Sequence, residues 1–170
     1  MIIRQENSSE YPTIYDLVKA AFQTAKVATG NEQNYVDKLR VSVNYIPQLA
    51  FVAEEDARIV GHIMLTKTYV ATTDGSKFEA LLLAPLSIAL EYRNRGIGQK
   101  LVRQSFELAK KLGFSAVFVV GNPLYYSRFG FKSSVAFGVK HVPMIPDPYV
   151  MAVELTPNAL ASVSGTVTFT

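Results

Sequence analysis

Between a long apolar run and an amphipathic segment the chain reads Arg93-Asn94-Arg95-Gly96-Ile97-Gly98, followed by Gln99 and Lys100. The first amides of a helix have no carbonyl partner inside it, glycines let a ligand approach them closely, and the helix dipole favours negative charge there. Arg93, Arg95 and Lys100 add cationic charge, so the chemistry of this turn is the binding of an anion, phosphate above all. Two common phosphate turns do not fit. A P-loop would continue with Gly-Lys-Ser/Thr, whereas Gly98 is followed by Gln99 and Lys100, and a dinucleotide fingerprint needs a third glycine where Leu101 stands. The same two glycines are equally compatible with a plain helix start. His62, directly after Gly61 in an apolar run, is of a type suited to proton transfer near neutral pH; a lone histidine in that setting is also commonly a hydrogen-bonded structural residue. With two histidines, His62 and His141, and no cysteine, the chain lacks the material for a metal centre or a thiolate nucleophile. No metal is expected.

The elements that must position the turn are legible from periodicity. Ile14, Leu17, Val18, Ala21 and Phe22 recur at helical spacing, and Tyr35, Val36, Leu39 and Val43 mark a second helix from Asn31 to about Val43, with Asp37, Lys38 and Arg40 on its other faces. Ala50 to Glu54 and Arg58 to Val70 read as an antiparallel hairpin around the polar group Glu55, Asp56 and Ala57. Phe78 to Leu90 is a long strand in which Pro85 cannot donate to a ladder, which predicts a bulge or local splaying. Ile97, Leu101, Ser105, Leu108 and Leu112 form the buried face of a third helix ending at Gly113, and Phe114 to Val120 is a short apolar strand. Strand, glycine turn, helix and strand together make a βαβ unit, with chemistry expected at its mouth. Beyond it come a turn at Gly121-Asn122-Pro123, one helical turn over Leu124 to Phe129, and late strands at Ser134 to Val139 and Tyr149 to Leu155 joined by a proline-rich loop.

The 170 residues are 49% hydrophobic and 18% charged, which suits one globular domain, residues 1–170, and excludes a disordered chain. A net charge of +3 is compatible with an anionic small ligand and too weak to argue nucleic acid. The longest apolar stretch, Ala80 to Leu90, is shorter than the ~20 residues that cross a bilayer, and the first residues lack the apolar core of a secretory signal. A cytoplasmic protein with no membrane or nucleic-acid partner is the expectation.

The pattern Arg93-x-x-Gly96-x-Gly98 behind a long strand resembles motif A of the GNAT superfamily of acyl-CoA-dependent N-acetyltransferases, whose consensus is Gln/Arg-x-x-Gly-x-Gly/Ala. Downstream, Tyr126-Ser127-Arg128-Phe129-Gly130-Phe131 is similar to the superfamily's tyrosine four residues before Gly-Phe. Leu49 through Val60, Gly61 and His62 resembles its strand-two and strand-three hairpin, and Leu83-Ala84-Pro85-Leu86-Ser87-Ile88 resembles its cofactor strand. The chain is identified as similar to the YhbS-like branch, a resemblance that includes Gly30-Asn31-Glu32, Gly61-His62-Ile63, Tyr125-Tyr126 and Val163-Ser164-Gly165-Thr166-Val167. It departs at Val119, where many members carry an asparagine.

That resemblance implies an α+β (α/β mixed) fold: a central mixed, mostly antiparallel sheet with splayed strands, flanked by helices. It implies transfer of an acetyl group from acetyl-CoA to a primary amine by direct attack on the thioester, with a small-molecule or peptide amine as partner and a homodimer as assembly. Backbone groups of Leu86 and Ile88 would hold the pantetheine arm, and the turn Arg93, Asn94, Arg95, Gly96, Ile97, Gly98, Gln99 and Lys100 the diphosphate. Tyr126, protonated at neutral pH, would give its proton to the departing thiolate. For the base, His62 has a suitable pKa, while Glu79 lies about three residues ahead of the superfamily's usual glutamate. Phe22, Glu32 and Tyr35 in the first two helices, and Phe137 in the late loop, would line the acceptor site. A reading of another class is an acyl-CoA-binding regulatory module that keeps the turn and lacks a useful base.

Overall fold

The computed structural model describes residues 1–169, and among them the periodicities above become nine strands in a mixed, mostly antiparallel sheet with four helices. The strands are β1 (Ile2–Gln5), β2 (Ala50–Glu55), β3 (Arg58–Thr72), β4 (Lys77–Ile88), β5 (Ala116–Val120), β6 (Lys132–Ser133), β7 (Val139–Lys140), β8 (Val150–Glu154) and β9 (Gly165–Thr168). The helices are α1 (Tyr11–Phe22), α2 (Glu32–Arg40), α3 (Ile97–Lys111) and α4 (Pro123–Tyr126). The chain divides into two compact units, one of Met1–Thr66 with Ala84–Leu108 and one of Lys67–Leu83 with the chain from Ala109 on, so β3, β4 and α3 each contribute to both.

In the first unit β1 pairs antiparallel with β2 (Ile3 opposite Ala53), and β2 with β3 (Val52 opposite His62). Asp56 and Ala57, at φ +49° and +60°, turn that hairpin with two left-handed residues, whose twist matches the strands they join. Ile14 and Val18 from α1 and Val36 and Leu39 from α2 bury against Ala50, Val52 and Met64, with Phe22, Tyr35 and Ala84 packed at the edge. A fully buried aliphatic side chain contributes about 1.5–3 kcal/mol, so this layer fixes both helices on the sheet. Helix α2 ends at Arg40 rather than near Val43, and its faces differ from the expectation: Arg40 is buried and Val43 is 92% exposed.

In the second unit the parallel ladder between β4 and β5 has the register pairs Leu81–Val117 and Leu82–Phe118, immediately ahead of the Pro85 segment in which the sequence places a break. Strand β5 pairs antiparallel with β8, β6 with β8, the end of β3 with β9, and β7 runs parallel to β9. Phe118, Val150, Ala152, Leu160 and Val167 form the core here. The strand expected over Ser134–Val139 is instead one 3-10 turn, Ser134–Phe137, closed by Gly138 at φ +78°, with the short strands β6 and β7 on either side. A left-handed residue cannot continue a ladder, which is why the run breaks there.

Candidate functional site

Strand β4 ends at Ile88, a 3-10 turn covers Leu90–Tyr92, and α3 begins at Ile97. Between them Asn94 and Gly96 adopt φ +62° and +78°, so two left-handed residues within three swing the chain from strand to helix. Gly96 is exposed, with no atom within 4 Å of where a Cβ would stand; glycine is required there by the backbone and not by crowding. Helix α3 makes its first bond from Lys100 N to Gly96 O, 3.1 Å. Asn94, Arg95, Gln99 and Lys100 are exposed around this turn, while Ile97 and Gly98 are buried and anchor it. Arg95 lies over the Tyr92 ring at 4.8 Å and reaches Glu55 at 4.0 Å. Exposed cations, an exposed glycine and the first-turn amides of a 15-residue helix suit a diphosphate.

Beneath the turn, Gly61 on β3 carries the end of β4. A Cβ at Gly61 would stand 3.1 Å from both Ile88 Cδ1 and Leu101 Cδ1, and Ala89 N donates to Val60 O at 2.8 Å. The missing side chain lets the end of β4 and the first turns of α3 close on β3. Leu86 and Ser87 on that strand are buried and Ile88 half-buried.

The Arg93 side chain, expected at the diphosphate, makes its hydrogen bonds within the fold. Its Nη2 donates to Ala21 O at 2.9 Å, Nη1 to Thr24 Oγ1 at 2.8 Å and Nε to Ile88 O at 3.4 Å. All three nitrogens of the guanidinium are thereby directed at the end of α1 and the end of β4.

His62 stands in a buried ionic network that no local pattern announced. Its Nε2 lies 2.8 Å from Glu6 Oε2, and Glu6 also accepts from Arg40 Nε (2.9 Å), Arg40 Nη2 (2.8 Å) and Tyr45 Oη (2.9 Å). The Glu6, Arg40 and His62 side chains are 1%, 4% and 0% exposed. Arg40 also pairs with Asp37 at 2.9 Å and covers the Tyr11 ring at 3.9 Å. Burial alone would raise the Glu6 pKa; hydrogen bonds and charge from His62 and Arg40 outweigh it and bring it down to about 2. Burial lowers the pKa of His62 against the pull of Glu6, so the ring is neutral at pH 7. A carboxylate only accepts, so Nε2 carries the proton and Nδ1 holds a lone pair, buried and without a partner. The signal for Arg40 was its place one residue past Leu39 on the apolar side of α2; Glu6 and Tyr45 gave none.

In the second unit, Asn122 caps α4 by accepting from Leu124 N at 3.1 Å, and Tyr126 closes that turn at 9% exposure. A Cβ on Gly121 would fall 2.7 Å from Tyr126 Cδ2, so the ring occupies the space a side chain at position 121 would need. Tyr125 and Phe131 meet the ring edge-on at 5.1 and 5.7 Å. Burial, then the neighbouring Tyr125, pushes the Tyr126 hydroxyl well above its ordinary pKa, which keeps its proton in place at neutral pH.

Glu79 is exposed on β4. Glu32 opens α2 and accepts from Thr29 N (2.6 Å), Gly30 N (3.3 Å) and Thr29 Oγ1 (3.1 Å), so its carboxylate is spent on shaping the preceding loop. Phe22 and Tyr35 pack on the core of the first unit and Phe137 on that of the second. Phe22 directly follows Ala21, whose carbonyl Arg93 holds, so within the first unit the strand-to-helix turn and the end of α1 are joined. No group of three or more metal-ligating side chains is assembled among the described residues, and none of their helices is long and apolar enough to cross a membrane.

A fold of this topology with a left-handed strand-to-helix turn defines a class, and comparison with known proteins agrees. Residues 2–133 match the acetyltransferase (GNAT) domain, and the chain belongs to that family. It is 33% identical to the uncharacterized N-acetyltransferase YjhQ of Escherichia coli K12 over 112 residues, 65% of this chain and 60% of YjhQ, so the match spans less than two thirds of that relative. The crystal structure of the GNAT family N-acetyltransferase YhbS from Escherichia coli in complex with CoA superimposes with a TM-score of 0.87 at 25% identity, covering 99% of this chain and 89% of YhbS. A GNAT family acetyltransferase from Brucella melitensis in complex with acetyl-CoA gives a TM-score of 0.78 at 25% identity, over 99% of this chain and 95% of that one.

Proposed function

We propose that this protein is an acetyl-CoA-dependent N-acetyltransferase acting on a primary amine, built as one domain over residues 1–170. The turn formed by Asn94 and Gly96 at the head of α3 carries this reading, because the amides of a helix N-terminus and the exposed Arg95 and Lys100 suit a diphosphate, and the chain belongs to the acetyltransferase (GNAT) family. Acetyl-CoA would supply the thioester, whose acyl carbon is open to attack by an unprotonated amine, with coenzyme A leaving as its thiol. The amides from Gly96 to Gln99 and the charges of Arg95 and Lys100 bind and orient the diphosphate. Backbone groups of Leu86 and Ile88 hold the pantetheine arm. Tyr126, kept protonated by burial, serves as the hydrogen-bond donor for the departing sulfur.

For the proton lost by the amine, Glu32 is already engaged by three donors, and Glu79 is an exposed carboxylate. His62 presents the one ring nitrogen that Glu6 leaves free, so its Nδ1 is the acceptor we assign, with Glu6 setting the tautomer. The burial of that nitrogen is the observation that favours the second reading, an acyl-CoA-binding module with little turnover. The acceptor is a small-molecule or peptide amine, the protein is cytoplasmic, and a homodimer is its assembly by analogy with the superfamily. Thiol release from acetyl-CoA across a panel of amino acids, polyamines and peptide N-termini separates the two readings: release above the amine-free rate establishes the enzyme, and saturable acetyl-CoA binding without release on any of them establishes the module.

A further inference from the structure

We infer that Arg93 is a positioning residue that clamps the C-terminal end of α1 to the end of β4, so that coenzyme A seated on the following turn steadies the α1–α2 connection, residues 23–31. Helix α1 ends with carbonyls that have no partner further along the helix. Ala20 O and Phe22 O are taken by Gln23 N and Ala25 N, both at 3.3 Å, while Ala21 O receives Thr24 Oγ1 at 3.3 Å and Arg93 Nη2 at 2.9 Å. A guanidinium at this place also answers the negative end of the α1 dipole. Its second branch holds the Thr24 hydroxyl and its Nε the Ile88 carbonyl, so one planar cation ties the last turn of α1 to the last residue of β4. The far end of the same connection is fastened separately, by Glu32 on Thr29 and Gly30. The stretch between these two fastenings is mostly exposed, so Arg93 governs how firmly its near end is held.

A lysine at position 93 would keep the positive charge and lose the fork, because an ammonium on a flexible stem cannot address three acceptors set in different directions. That separates a clamp from a phosphate ligand. The coupling half of the inference rests on the proposed seat for coenzyme A, and the two can be told apart, because the clamp shows itself without ligand.

Amide hydrogen exchange of residues 23–31 is measured for wild type, R93K and T24V, with and without coenzyme A, alongside calorimetric titration of coenzyme A. The clamp predicts exchange there about tenfold faster in unliganded R93K, the loss of one charge-assisted hydrogen bond. A smaller acceleration is expected in T24V, where Arg93 itself is intact. Coenzyme A should slow this exchange in wild type and fail to do so in R93K, whose affinity stays within about threefold. Wild-type exchange in both unliganded variants would overturn the clamp. A tenfold loss of affinity in R93K with unchanged exchange would make Arg93 a phosphate ligand and overturn it as well. If wild type takes up coenzyme A with no change at residues 23–31, the coupling is overturned; if wild type takes up none, the seat itself falls and the coupling with it, and the unliganded rates still judge the clamp.

Discussion

Replacing Glu6 with alanine removes the acceptor for four hydrogen bonds at once: two from Arg40, one from Tyr45 and one from His62. The Arg40 side chain is 4% exposed, so its charge would be left largely in protein, with Asp37 at 2.9 Å as the remaining anion and the Tyr11 ring at 3.9 Å. Breaking a buried ion pair by removing one partner costs about 3–5 kcal/mol, and the half-exposed Asp37 pulls the expectation to the lower end, about 3 kcal/mol. Against a total stability of about 5–15 kcal/mol this is a large share. Urea unfolding at pH 7, followed by circular dichroism, reads it directly. Removing both charges, in Glu6→Leu with Arg40→Met, should recover much of the loss, because an apolar pair carries no desolvation penalty. A loss below about 1 kcal/mol for Glu6→Ala, or a double variant weaker than either single one, would refute the description of this site as a closed, mutually dependent network.

Acidification should act on the same network with a definite sign. His62 has a lowered pKa in the folded state, so the unfolded chain takes up its proton first and stability begins to fall as the pH drops below about 6.5. Glu6, held at about 2 against an ordinary value of 4.5, adds a second decline below pH 4.5 that is complete only near pH 2. Urea midpoints measured from pH 8 to 3 should show both, and His62→Asn should abolish the first. Tyr126→Phe is expected to lower turnover by about 10- to 100-fold while coenzyme A affinity changes little, measured by thiol release and calorimetry; unchanged turnover would remove the hydroxyl from the reaction. Gly121→Ala should displace the Tyr126 ring, since its Cβ would fall 2.7 Å from Cδ2, and cost about 1–3 kcal/mol in urea unfolding.

The turn and the start of α3 were legible because their signals are local, two glycines around Ile97 and apolar spacing that buries Ile97, Leu101 and Ser105; the rest of the expected face departs from it, since Leu108 is half-buried, Leu112 is 43% exposed and Ala109 takes the buried place. Pro85 announced the limit of the β4–β5 ladder for the same reason, a missing donor within one strand. The ionic network was invisible because its members are brought together from far apart. Glu6 meets Arg40 across 34 residues and His62 across 56, and nothing in the neighbourhood of Glu6 marks it as buried. Strand β9 escaped notice because its ladder to β3 joins positions about a hundred residues apart; Gly165 gave a hint only in retrospect, since a Cβ there would run into the backbone of Ala71 and Thr72. Arg93 shows a different limit. Its spacing in the motif is local, and its direction, toward Ala21 and Thr24, is a tertiary fact that residue type does not encode.

The most direct test of the account is calorimetric titration of coenzyme A into wild type and Gly96→Val. The left-handed backbone at position 96 is disfavoured for a β-branched residue by about 1–3 kcal/mol, and the space around it is open, so the variant perturbs the turn and little else. Saturable heat is expected with wild type, and affinity weakened about 5- to 100-fold in Gly96→Val with the fold intact by circular dichroism. Equal affinity in the two proteins, or no heat with well-folded wild type, would contradict it.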